Sequence, residues 1–151
     1  MKTLILGLGN DLLGDDAVGI LAARELAVRL EGRTDVDVVE SPLHGVALLE
    51  HFIGYDRAII IDAIRTGTRP PGSIIEIDPD DLKPAKSASP HYAGIPELFA
   101  IAKELELEFP KEVRIIAIEV EDPYTIGGEM TEKVRLALPE LLRRVEEMSG
   151  E

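Results

Sequence analysis

Four side chains able to act as acid, base or ligand break an otherwise apolar pattern: Asp15 and Asp16 in GLGNDLLGDDAVG, Asp62 in RAIIIDAI, and His91 in SPHYAG. Asp62 is a lone carboxylate near the end of a run of Ile and Ala. If buried, it must be paired, protonated or bound to a cation, and the C-terminal ends of such strands are where α/β proteins hold their sites. Asp15 and Asp16 are adjacent, so on a helix they point about 100° apart. One can complement the positive N-terminal end of the helix while the other faces across the sheet top. His91 lies in a long polar loop just ahead of a helix, at the sheet end that presents Asp62. Asp16, Asp62 and His91 together make a set of two carboxylates and one imidazole. Such donors suit a borderline divalent ion, nickel or zinc, with coordination positions left open. His44 and His51, seven residues apart near one short helix, could share a face; His51 reads instead as an ordinary surface residue, and the role of His44 stays open.

Other chemistries are disfavoured by what the chain lacks. There is no cysteine, so disulfides, thiolate metal sites and cysteine nucleophiles are out, and a reducing compartment fits. No H-E-x-x-H, G-x-S-x-G or G-K-[ST] occurs, which removes the helix-borne zinc protease, the serine hydrolase elbow and the P-loop. The loop GLGNDLLG lacks full G-x-G-x-x-G spacing. Glu40 does stand at the end of the second strand, where a ribose-binding carboxylate belongs. Against that, Asp15 and Asp16 would repel a pyrophosphate from the helix end that should attract it. A nucleotide-binding module is the weaker alternative.

These residues must be positioned by a layered fold. The apolar run Thr3–Leu8 reads as a strand buried on both faces. Apolar residues then recur at helical spacing from Asp15 to Leu30. Val36–Glu40 makes a second strand and Val46–Phe52 a short helix ended by Gly54. RAIIIDAI is the third strand and SIIEI, residues 73–77, the fourth. The connection between these two is too short for a crossover helix, so the fourth should run antiparallel to the third. A Pro-, Ser- and Asp-rich loop, a helix over 95–105, the strand VRIIAIEV and a polar loop lead to a last helix, with Thr131 as its expected cap. The expectation is a single α/β/α domain over residues 1–151 with a mostly parallel sheet. The net charge of -13 argues against nucleic-acid or anionic-membrane surfaces, and no stretch approaches the length of a membrane span. A cytoplasmic monomer is expected.

GLGNDLLGDDAVG, then IIIDAI, then SPHYAG, in this order along nearly the whole chain, resembles the hydrogenase maturation proteases. The resemblance implies an endopeptidase that removes the C-terminal extension of a [NiFe] hydrogenase large-subunit precursor. Nickel already inserted in that precursor would be the recognition signal. It also implies a phosphorylase/hydrolase-like α/β fold with a five-stranded sheet in the order 2-1-3-5-4, strand 4 antiparallel. The family's two acidic ligands and its histidine fall on Asp16, Asp62 and His91, so the glycine loop would present a carboxylate to a cation rather than cradle phosphate. SPLHG at 41–45 departs from the Gly- and Thr-rich turn of many relatives. A non-catalytic nickel-binding assembly factor would use the same ligands.

Overall fold

The sheet is built from β1 (Thr3–Leu8), β2 (Val36–Ser41), β3 (Arg57–Ile64), β4 (Ile74–Ile77) and β5 (Glu112–Glu119). A computed structural model describes the backbone of residues 1–10, 12–43, 45–79, 95–122, 125–127 and 129–150. The strand order is β2-β1-β3-β5-β4, with β4 antiparallel to β5 and every other pairing parallel. This is the expected order. The turn over 65–73 is too short to cross the sheet, so β4 pairs antiparallel on the far side of β5.

The strand sequences explain why the sheet is covered on both sides. All residues of β1 and β3 are buried, and successive side chains alternate between two apolar layers. Ile5, Ile59, Ile61, Ile116 and Ile118 face α1 (Val18–Arg29) and α4 (Glu132–Ser149). Leu4, Leu6, Ala58, Ile60 and Ile115 face the opposite layer, which contains α2 (Leu49–Phe52) and α3 (Ile95–Glu104). The two edge strands, β2 and β4, are part-exposed along most of their length. No helix among the described residues is long and apolar enough to cross a membrane.

Glycine sets how closely α1 lies on the sheet. A Cβ on Gly19 would stand 2.1 Å from the Leu8 carbonyl oxygen and 2.7 Å from that of Ile61. A Cβ on Gly7 would stand 2.2 Å from the Gly19 carbonyl oxygen. No side chain fits in either place, so backbone packs directly on backbone.

Two expectations about helix ends are corrected. The first helix begins at Val18, not Asp15, because residues Gly14–Ala17 form a tighter 3-10 turn. Thr131 stands at the N-cap of α4 with extended backbone, but its side chain makes no capping bond; its hydroxyl is committed to Asp15.

Gly19→Ala should cost about 2 kcal/mol or more, since backbone must move to admit the methyl. Gly150→Ala, where the nearest atom is 3.6 Å away, should change stability by less than about 0.5 kcal/mol. Urea denaturation of the two variants checks the contrast.

Candidate functional site

The parallel strands β1, β2, β3 and β5 all end on one edge, and the loops that follow them gather there. Asp62 is wholly buried and lies opposite Ala117 on β5. By alternation it shares a face with Ala58, Ile60 and Ile64, the α3 side of the sheet. Its Oδ1 accepts the Ala63 amide at 2.8 Å. A carboxylate placed this deep, one pair of residues from the strand end, is costly unless donors or a cation meet it.

Asp16 reaches the same edge from the other direction. The chain leaves β1 at Gly9, where φ is +152° and a Cβ would meet the Asp16 carbonyl oxygen at 2.2 Å. The Asn10 side chain accepts the Leu12 amide at 2.9 Å, and the Asp16 amide donates to the Leu13 carbonyl at 2.8 Å. These bonds fold residues 9–10 and 12–17 into a turn with Asp16 half-buried on it. Three residues further on, Gly19 rests against Ile61, the neighbour of Asp62. The turn and β3 are thus in direct contact.

Asp15 has the opposite fate. It is wholly buried, and its carboxylate accepts the amides of Glu121 at 3.0 Å, Asp122 at 2.8 Å and Thr131 at 2.7 Å. The Thr131 hydroxyl adds a fourth contact at 2.9 Å. Four donors match the lone pairs of one carboxylate. The pair therefore divides its work: Asp15 ties the β5–α4 loop to the β1–α1 turn, and Asp16 is left at the edge.

His91 and His44 lie outside the described residues. His51, half-buried, is on the last turn of α2, where the chain heads back towards the start of β3, away from Asp62. Ser41 is buried, and its Oγ accepts the Leu43 amide at 3.1 Å, a turn-forming role. Among the described residues, no three His, Cys, Asp or Glu side chains cluster as a metal site; a set completed by His91 falls outside that comparison. Glu40 is engaged by Arg24 through two contacts of 2.8 and 3.0 Å. That carboxylate is thereby committed to an ion pair on the flank of α1, which leaves the ribose-binding role without support.

One residue escaped notice in the sequence. Glu119, at the end of β5, is buried and accepts the Thr66 amide at 2.8 Å, the Thr66 hydroxyl at 2.5 Å and the Gly67 amide at 3.3 Å. It fixes the turn that leaves β3 just beyond Asp62. The signal was available, since VRIIAIEV ends in a lone acid as RAIIIDAI does.

Comparison with known proteins bears directly on this edge. The sequence matches the family described as HycI, hydrogenase maturation protease, over residues 20–148, a span that holds Asp62 and His91 and begins beyond Asp16. It is 31% identical over 144 residues to the hydrogenase expression/formation protein HoxM of Azotobacter vinelandii, covering 93% of this chain and 68% of that protein. It is 30% identical over 121 residues to the hydrogenase 2 maturation protease of Escherichia coli, covering 78% and 73% of the two chains. The fold is similar to that of the hydrogenase maturating endopeptidase HybD from Escherichia coli. The TM-score is 0.76 at 27% identity, with 96% of this chain and 90% of that one covered. The [NiFe] hydrogenase maturation protease HybD from Thermococcus kodakarensis gives a TM-score of 0.74 at 28% identity, covering 98% and 99%.

Removing the Asp15 carboxylate leaves three backbone amides without their acceptor, at about 1–3 kcal/mol for each buried group. Asp15→Ala should lower the melting temperature by about 10 °C, whereas Asp16→Ala should lower it far less. Thermal unfolding followed by circular dichroism distinguishes the two neighbours.

Proposed function

Because this chain belongs to the hydrogenase maturation protease family, we propose that it is the endopeptidase that trims the C-terminal extension of a [NiFe] hydrogenase large-subunit precursor after nickel insertion. Family membership makes it a peptidase of hydrogenase maturation. The finer reading rests chiefly on Asp62, a wholly buried carboxylate at the end of a central parallel strand. The C-terminal end of a central strand is where α/β folds hold their sites, so a carboxylate there is a candidate for chemistry.

In this reading nickel belongs to the substrate. The ion arrives in the precursor, and Asp16, Asp62 and His91 complete its coordination. Two carboxylate oxygens and an imidazole nitrogen are donors that a borderline divalent ion accepts while keeping open positions. An ion so held can polarise the scissile carbonyl or lower the pKa of a bound water. One of the two aspartates can serve as the base that takes the proton from the attacking water. The water oxygen bonds to the carbonyl carbon, the C–N bond breaks, and the proton passes to the departing amine. Glu119 and Asp15 contribute by fixing the turns on either side.

Asp62→Ala and His91→Ala should each reduce trimming of nickel-loaded precursor by at least about 1,000-fold while circular dichroism reports an intact fold. Mass spectrometry of the precursor before and after incubation reads the result. Full trimming by either variant removes that residue from the mechanism. Binding of the precursor by wild-type protein with no peptide released supports the non-catalytic assembly factor instead.

Precursor that has not received nickel should stay whole even with a large excess of the protein. Efficient trimming of the nickel-free form contradicts recognition through the ion.

A further inference from the structure

We infer that Leu12, Leu13 and Ile126 form a rigid apolar crest that docks an apolar segment of the hydrogenase precursor flanked by basic side chains. The inference rests on the proposed function and adds the surface by which the substrate is held.

Leu12 is 64% exposed and Ile126 81% exposed. Single exposed apolar residues are ordinary on any protein surface. Their backbones are neighbours, however, although they come from loops far apart in sequence. Leu13 and Ile126 pair in an isolated antiparallel bridge, and the Gly127 amide donates to the Leu12 carbonyl at 2.7 Å. The crest thus spans the turn that carries Asp16 and the loop that follows β5.

The crest is also held stiffly. Asp15 clamps both loops from beneath. The Asp15 amide in turn donates to the Asp122 carbonyl at 2.8 Å. At Gly14, φ is +34° and a Cβ would meet the Asp122 carbonyl oxygen at 2.6 Å, so the loops touch backbone to backbone. A floppy loop would turn its apolar side chains away from water; a braced one keeps them presented, and binding then costs less ordering entropy.

Charge points to the occupant. Asp16 and Asp122 are half-buried, and Glu121 and Glu129 are exposed, on the same two loops. An apolar centre with an acidic rim complements an apolar segment bordered by Lys or Arg. The crest adjoins Asp16, so a segment seated on it lies next to the proposed cleavage site. Leu43, 43% exposed just past β2, extends apolar surface along this edge.

Steady-state trimming of nickel-loaded precursor tests the assignment. The double variant Leu12→Ser/Ile126→Ser should raise KM about tenfold or more while leaving kcat within about twofold. Glu121→Lys/Glu129→Lys, which leaves the apolar residues in place, should also raise KM and weaken its dependence on salt. Val28→Ser and Leu136→Ser, exposed apolar positions on α1 and α4, should behave as wild type. An unchanged KM in both double variants overturns the docking surface and leaves the proposed function standing. So does a wild-type dimer in sedimentation that Leu12→Ser/Ile126→Ser splits, because the crest would then cover a second copy. A wild-type protein that leaves the precursor whole overturns the proposed function, and this docking role with it.

Discussion

A carboxylate sunk beneath two loops destabilises a protein unless its oxygens meet donors, and Asp15 meets three amides and a hydroxyl. The contact joins the turn after β1 to the loop after β5, two segments that also meet at the Leu13–Ile126 bridge and through backbone hydrogen bonds. Without it, backbone contacts alone would hold the two loops together over a buried, empty acceptor position. With it, Asp16 and the Leu12–Ile126 crest stand on one braced platform. Glycine supplies the complementary constraint. Gly7, Gly9 and Gly19 remove the side chains that would hold the turn and α1 away from the sheet. The turn is therefore tied to the β5–α4 loop by Asp15 and let onto the sheet by bare backbone.

The same edge shows how one residue type takes different roles through its surroundings. Asp15 and Glu119 are buried acids whose oxygens accept amides and a hydroxyl, and each fastens a turn. Asp62 is equally buried but sits within a strand, opposite Ala117. Asp16 stays half in water. On this division the structural acids hold the frame, and the proposed ligands stand at the edge it frames.

Much of this was legible in the letters, for identifiable reasons. RAIIIDAI announced a buried strand with one acid because β-branched runs seldom fit elsewhere, and the short link to SIIEI dictated an antiparallel neighbour. Asp15 was not legible as a clamp. Its partners, Glu121, Asp122 and Thr131, lie 106 to 116 residues away, and periodicity reports only local neighbours. The same distance hid the 3-10 turn and the diversion of the Thr131 hydroxyl from capping. The letters DD also could not say which aspartate would turn inward, because that choice depends on the loop after β5. Glu119 was missed although its pattern matched that of Asp62.

The central claim is that Asp16, Asp62 and His91 grip an ion that the precursor brings. Nickel-edge X-ray absorption reads that grip directly, using nickel-loaded precursor made uncleavable at the scissile bond. Mixing with wild-type protein should add oxygen and nitrogen donors to the nickel shell, and Asp62→Ala should leave one oxygen donor missing. A nickel shell identical with and without the protein would contradict the account.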